Sequence, residues 1–248
     1  MSMLSEVKKG RQTRPRRTVL YGTHGVGKST FASKFPDPIF IQTEDGCADL
    51  DVAKLPLCQS LIDAMGAIIE LGGGGHEFKT VVVDSIDWLE KLVWKKVCES
   101  EGKKSITDFT YGSGYGKSAS MFSDVLNGLN CCRDVGMHVV LIAHCEIKRF
   151  ENPEGDSYDR YCPKLHRDTA ALMQEWADEV LFVNWKVNVR KTDQGGFNKE
   201  GRGVGVGGDE RVMRTVERPG FLAKNRLGMP DELPFDFAEY AKFVPGLA

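Results

Sequence analysis

Gly22-Thr23-His24-Gly25-Val26-Gly27-Lys28-Ser29 reads G-x-x-x-x-G-K-S, the P-loop pattern, between an apolar run at Thr18-Val19-Leu20-Tyr21 and a helical pattern from Ser29 to Phe35. The flanks decide its meaning. Glycines let successive backbone N–H groups curl around phosphate oxygens, and a helix starting there adds the positive end of its dipole. Lys28 then reaches the outer phosphates, and the Ser29 hydroxyl ligates Mg²⁺. Gly22, Thr23, His24, Gly25, Val26, Gly27, Lys28, Ser29 and Thr30 are therefore the candidate binding residues for ATP and Mg²⁺.

Working outward, Ile39-Phe40-Ile41-Gln42-Thr43 reads as a second buried strand, delivering Glu44-Asp45-Gly46 at its C-terminal end. Lys79-Thr80-Val81-Val82-Val83-Asp84-Ser85 and Met137-His138-Val139-Val140-Leu141-Ile142-Ala143 are further apolar runs, with Asp84 and His144 at their ends. Helical spacing marks the stretch around Leu61 to Ile69, Ile86 to Glu99, and about Ala119 to Val135. The glycine-rich stretch between Asp108 and Ser118 reads as a mobile loop, and Lys148 to Arg167 as a long loop or hairpin. Late strands at Glu179–Trp185 and Arg211–Val216 flank a glycine-rich loop from Gly195 to Gly208. Strand-helix alternation after a glycine-rich first turn predicts an α/β fold: a mostly parallel central sheet with helices on both faces. Ligands in such folds bind outside the carboxyl ends of the strands, where the P-loop, Glu44, Asp84 and His144 all fall.

Phosphoryl transfer to water needs a metal holder, a group that orients or deprotonates the water, and positive charge at the terminal phosphate. Asp84 and Ser29 are the candidate Mg²⁺ residues. Glu44 is the candidate base, with Asp45 its nearest rival and Asp87 a weaker one that could instead cap the following helix. Lys28 supplies charge, and His144 is placed to sense the terminal phosphate. His144 and Cys145 with Cys162 and His166 fit no standard zinc spacing.

At 248 residues, 41% hydrophobic and 27% charged, the chain suffices for one substantial core and falls short of two full domains. The expected division is a basic N-terminal tail at 1–15, an ATPase core at 16–229 and a C-terminal tail at 230–248 packing on the core. A formal net charge of −2 excludes a surface basic all over, so any nucleic-acid contact is local. The run Lys8, Lys9, Arg11, Arg14, Arg16, Arg17 is either a solvated tail or a phosphate-binding arm. Seven cysteines without a C-x-x-C predict a reduced, cytoplasmic protein, and no apolar run approaches the ~20 residues that span a bilayer, so no membrane association is expected.

Val81-Val82-Val83-Asp84-Ser85, Phe40-Ile41-Gln42-Thr43-Glu44 and Phe150-Glu151-Asn152-Pro153-Glu154 resemble the corresponding stretches of RecA, in order, over about residues 16–226. The chain looks like a RecA-like P-loop NTPase core without additional domains, most similar to phage RecA-like ATPases of single-strand annealing and recombination. That resemblance implies Glu44 as catalytic base. It also implies a sensor at His144, where RecA has glutamine and the phage branch histidine. Lys224-Asn225-Arg226 resembles the K-N-R element of RadA, implying that Lys224 and Arg226 act catalytically across a subunit interface. The two irregular loops fall where this family binds DNA, so Tyr111, Tyr115 and Lys117, with Lys148, Arg149 and Arg160, are the implied single-strand contacts. The implied partners are single-stranded DNA, further copies of the chain in a filament or ring, and a single-strand-binding protein, within a bacterial cytoplasm if phage-encoded. A helicase-like or helicase-loading motor uses the same core, as does a nucleotide-gated scaffold with little turnover; a small-molecule kinase fits less well, lacking an arginine-rich lid.

Overall fold

Every residue of the strand Arg17–Gly22 (β1) after the first is buried, because this strand lies mid-sheet with a layer on each face. The computed structural model describes residues 3–7, 9, 10, 12–191 and 203–247. Beside β1 on one side runs His138–Phe150 (β5), then Thr80–Asp84 (β4), Pro38–Gln42 (β2) and the short Ala53–Lys54 (β3), all parallel. On the other side Glu179–Lys191 (β7) is parallel to β1, and Gly203–Arg214 (β8) and Glu232–Pro234 (β9) continue the sheet antiparallel. Tyr158–Pro163 (β6) pairs antiparallel with the outer half of β5, so the expected loop or hairpin at 148–167 is a hairpin. The sheet is largely parallel and the fold is α/β, as the alternation predicted.

Period-two geometry sorts each strand's side chains between two cores. Val19, Tyr21, Ile39, Ile41, Val81, Val83, Val139 and Leu141 face one core, closed by the helices Leu61–Gly72 (α2), Ile86–Ser100 (α3), Ser113–Asp134 (α4) and Arg167–Trp176 (α5). Leu20, Phe40, Val82, Val140 and Ile142 face the other, where the short helices Lys28–Ala32 (α1) and Phe237–Ala241 (α6) lie. Ser60 and Asp63 form a reciprocal capping box that starts α2.

Two expectations need correction. The stretch 108–118 is not a glycine loop: α4 begins at Ser113, so Tyr115 and Lys117 are helical and Tyr111 sits in a preceding tight turn at φ 53°. Gly114 is tolerated in that helix because a Cβ there would stand 2.7 Å from the Phe109 ring, so glycine serves close packing rather than mobility. The C-terminal segment packs into the second core: Leu233, Tyr240 and Val244 are buried there, and the Tyr240 hydroxyl is 3.1 Å from the Thr18 hydroxyl of β1. The basic N-terminal run is no free arm at its C-terminal end, since Arg16 pairs with the buried Glu179, and Arg17 with Asp178 at 3.1 Å. Lys8 and Arg11 lie outside the described residues, as do 195–202 of the expected glycine loop; 203–208 belong to β8. Among the described residues no helix is long and apolar enough to cross a membrane.

Candidate nucleotide site

The sheet's parallel register sets the site. Gly22, at the end of β1, is level with His144 in β5, and Asp84, at the end of β4, is level with Ile142. The loop that follows β1 turns on Gly25 and Gly27, both at positive φ (70° and 97°), a conformation that L side chains rarely adopt. Gly22 has no room for a side chain, since a Cβ would fall 2.0 Å from the Val183 carbonyl oxygen of β7.

Within that loop the Lys28 ammonium donates to the carbonyls of Gly22 (3.1 Å) and Thr23 (2.9 Å). Burial lowers its pKa, with Asp84, Asp87 and Glu44 among the groups that oppose the shift. Ser29 Oγ donates to Asp84 Oδ2 at 2.6 Å, which brings together the hydroxyl and the carboxylate that the sequence assigned to one cation. The Cys47 thiol approaches the same oxygen at 3.5 Å; burial and the Asp84 charge push its pKa up to about 12, so it stays protonated and donates. The Asp84–Ser85 peptide is cis.

Glu44, beyond the end of β2, faces His144: Oε1 is 3.8 Å from Nε2. The other side of His144 is clamped by Asp87, whose Oδ1 accepts from the His144 backbone N–H and whose Oδ2 accepts from Nδ1, both at 3.0 Å. Burial pushes the Asp87 carboxyl up, but the hydrogen bonds from the His144 ring and backbone outweigh it and hold the group below the usual carboxylate range. An ionised carboxylate only accepts, so Nδ1 carries the proton and Nε2 is the nitrogen turned toward Glu44. The His24 ring stacks on His144 with centroids 4.3 Å apart, and the repulsion between the two rings, with burial, lowers the His24 pKa. His24, Lys28, Ser29, Glu44, Asp84 and His144 line an open cavity of about 420 Å³ that also takes in Gly25, Thr30, Asp45 and Asp49.

A family model described as an AAA domain matches residues 14–227. The chain belongs to the AAA domain family. Nucleotide hydrolysis is the general activity of that family, and nucleotide binding, typically with Mg²⁺, goes with it. The chain is also 24% identical over 169 residues to the SPbeta prophage-derived uncharacterized protein YorG of Bacillus subtilis (strain 168). That match covers 66% of this chain and 49% of the relative, so the chain spans about half the length of the curated relative it matches. The residues of this AAA domain suit the implied ligands. Positive-φ glycines shape the loop, Lys28 is held in it by carbonyls it can exchange for phosphate, and a hydroxyl and a carboxylate meet where a hard cation needs oxygen donors.

Two contributions to the site were not foreseen from the sequence. Asp87, read there as a weaker candidate base or a helix cap, instead clamps His144. Arg211, from the antiparallel β8, donates from Nη1 to the Val26 carbonyl at 3.1 Å and lies over Phe235, tying the AAA domain's phosphate loop to the far side of the sheet.

Other predicted residues lie apart. Lys224 is committed within its own protomer: Nζ donates to the carbonyls of Gln174, Glu175 and Ala177 at the end of α5. That use corrects its reading as a free cationic finger. Arg226 reaches Asp178 at 3.2 Å with half its side chain exposed. Both sit at the N-terminal ends of the strands, the edge opposite the P-loop. Among the expected DNA contacts, Tyr111 is fully exposed, whereas Tyr115 stacks on His166 at 4.1 Å. Lys117 pairs with Glu101, Lys148 with Glu146 at 2.9 Å, and Arg149 is exposed near Glu151. Arg160 departs most from expectation: its side chain is 11% exposed, paired with Glu217 and laid on the Phe150 ring.

Proposed function

We propose that this protein is an ATP- and Mg²⁺-dependent RecA-like ATPase that binds single-stranded DNA as an oligomer and promotes annealing or strand exchange in phage-type recombination. The observation that carries the reading is the continuity of β5. The strand that places His144 at the nucleotide cavity runs on without a break to Phe150 and forms, with β6, the arm bearing Lys148 and Arg149. Displacement of His144 therefore moves the arm. The prophage origin of the relative in Bacillus subtilis supports a phage setting.

The bound nucleotide, with its cation, supplies the electrophilic terminal phosphoryl group. Lys28 exchanges its two loop carbonyls for phosphate oxygens and offsets their charge. Ser29 and Asp84 hold the cation. Glu44, turned into the cavity, orients a water and takes its proton at a carboxylate oxygen. His144, fixed by Asp87 with Nε2 forward, registers the presence of the terminal phosphate and transmits it along β5. Arg226 acts on the site of a neighbouring copy, since its own P-loop is at the opposite edge of the sheet.

ATP turnover measured with and without single-stranded DNA, alongside particle images of the same samples, tests the reading. Stimulated turnover with DNA-coating filaments or rings is expected. Turnover indifferent to DNA with monomeric particles would refute it, and unwinding of a forked duplex would assign a motor instead.

A further inference from the structure

A second cavity of about 350 Å³ lies behind the nucleotide site, walled by α3, the start of the β5–β6 arm and the segment leading into α5. Its size falls within the ~300–1,000 Å³ of small-ligand pockets. Asp87, Lys91, Trp94, Lys148, Lys164 and His166 contribute to its lining. Asp87 is common ground: it lines this cavity while its carboxylate holds His144, which lines the nucleotide cavity.

The chemistry of the lining selects a ligand. Its three acids are already engaged: Asp87 with His144, Glu90 with the His166 backbone N–H at 3.1 Å, and Glu146 with Lys148. Lys91 and Lys164 have no carboxylate partner among the described residues, and Lys91 lies over the exposed Trp88 ring at 3.5 Å. His166 is backed by Tyr115 in a near-parallel stack (interplanar angle 4°), and Tyr115 in turn meets Trp94 edge-on, so the aromatic wall is rigidly braced. The Trp94 indole N–H is buried without an acceptor, a deficit that native structures seldom leave unexplained. A braced aromatic wall and two cations without a carboxylate partner among the described residues together match a nucleobase with its phosphate.

We propose that this second cavity binds one nucleotide unit, a base against Trp94 and His166 with its phosphate on Lys91 and Lys164, next to the residue that positions the γ-phosphate sensor. The assignment rests on the single-strand reading given above and locates the contact on α3 and at the foot of the arm, rather than at its tip. The same chemistry would accept a free mononucleotide.

The test uses the full chain with its P-loop saturated by a non-hydrolysable ATP analogue. A labelled oligothymidylate, a 5-iodouracil-substituted version for photo-cross-linking, and thymidine monophosphate are the probes. Cross-links at Trp94 or His166 are expected, with affinity lowered at least tenfold in Lys91→Glu and Lys164→Glu. Oligothymidylate binding with cross-links only elsewhere, and equal affinity in both variants, would overturn the pocket while leaving the single-strand reading standing. Thymidine monophosphate binding and competing with no oligonucleotide affinity would keep the pocket and refute single-strand binding. Affinity for neither probe would reject both. Because cross-linking needs no substitution, a variant that fails to fold leaves the result decisive.

Discussion

At the scale of single residues, the proposed reaction divides binding and chemistry between Lys28 and Glu44. Lys28 is mostly buried and its ammonium is satisfied by loop carbonyls, so Lys28→Ala removes the cation that the Gly22 and Thr23 carbonyls hold in the loop and is expected to abolish ATP binding. Equilibrium titration with a fluorescent nucleotide checks this, and unchanged affinity would reject the phosphate cradle. Glu44→Gln keeps shape and removes basicity; turnover is expected to fall ~10²–10⁴-fold with affinity retained. Equal turnover would pass the role of base to Asp45, the other acid of that turn on the cavity wall. His138 adds a pH response. Burial first, and Arg16 second, lower its pKa to about 4, while its Nδ1 accepts from the Arg16 backbone N–H at 3.1 Å. The unfolded chain, with a pKa near ~6.5, takes up a proton before the native one does, so stability is complete above that value. It is lost as pH falls from about 6.5 toward 4. Melting temperature should decline through that window, and less so in His138→Gln.

At the scale of elements, the central strands β1, β2, β4, β5 and β7 were legible because burial on both faces demands unbroken apolar runs, and their parallel pairing followed from their alternation with helices; the short edge strands β3 and β9, without such runs, were not. What escaped was helix 113–118. Gly112, Gly114 and Gly116 with Tyr111 look like a loop by composition, yet Gly114 is small so that Phe109 and Ile106 can press against the helix. Glycine's two uses, freedom and closeness, cannot be told apart without the neighbour. The clamp of Asp87 on His144 and the reach of Arg211 to Val26 were invisible for a related reason: each joins segments distant in sequence, through side chains whose types are common on any surface. Gly22 gives the closeness argument a test. A methyl group there would meet the Val183 carbonyl oxygen at 2.0 Å, within the β1–β7 pair, so Gly22→Ala forces two central strands apart. A loss of ~1–3 kcal/mol or more is expected in denaturant unfolding, and wild-type stability would mean that the strands separate at no cost.

At the scale of the whole molecule, the second core is assembled from the two ends of the described chain. Phe31 of α1 stacks on Phe235 with centroids 4.8 Å apart and meets Tyr240 edge-on at 5.6 Å. Truncation after Met229 strips Leu233, Phe235, Tyr240 and Val244 from that core and is expected to abolish cooperative thermal unfolding together with ATP binding. A truncated chain that melts cooperatively and binds ATP would make residues 230–248 dispensable. Assembly has its own check in Arg226. Arg226→Ala and Lys28→Ala, each impaired alone, should regain part of their turnover when mixed if one copy completes the site of the next. No recovery would place Arg226 outside the reaction.

The stacking of Phe31 on Phe235 also orders events during synthesis. The nucleotide loop is made well before Phe235 and Tyr240, yet the helix that closes it stays uncovered until Tyr240 leaves the ribosome. A nascent or prematurely ended chain thus exposes Phe31 and Phe35 to water, and only a polypeptide finished through that tyrosine gains a firm grip on its fuel.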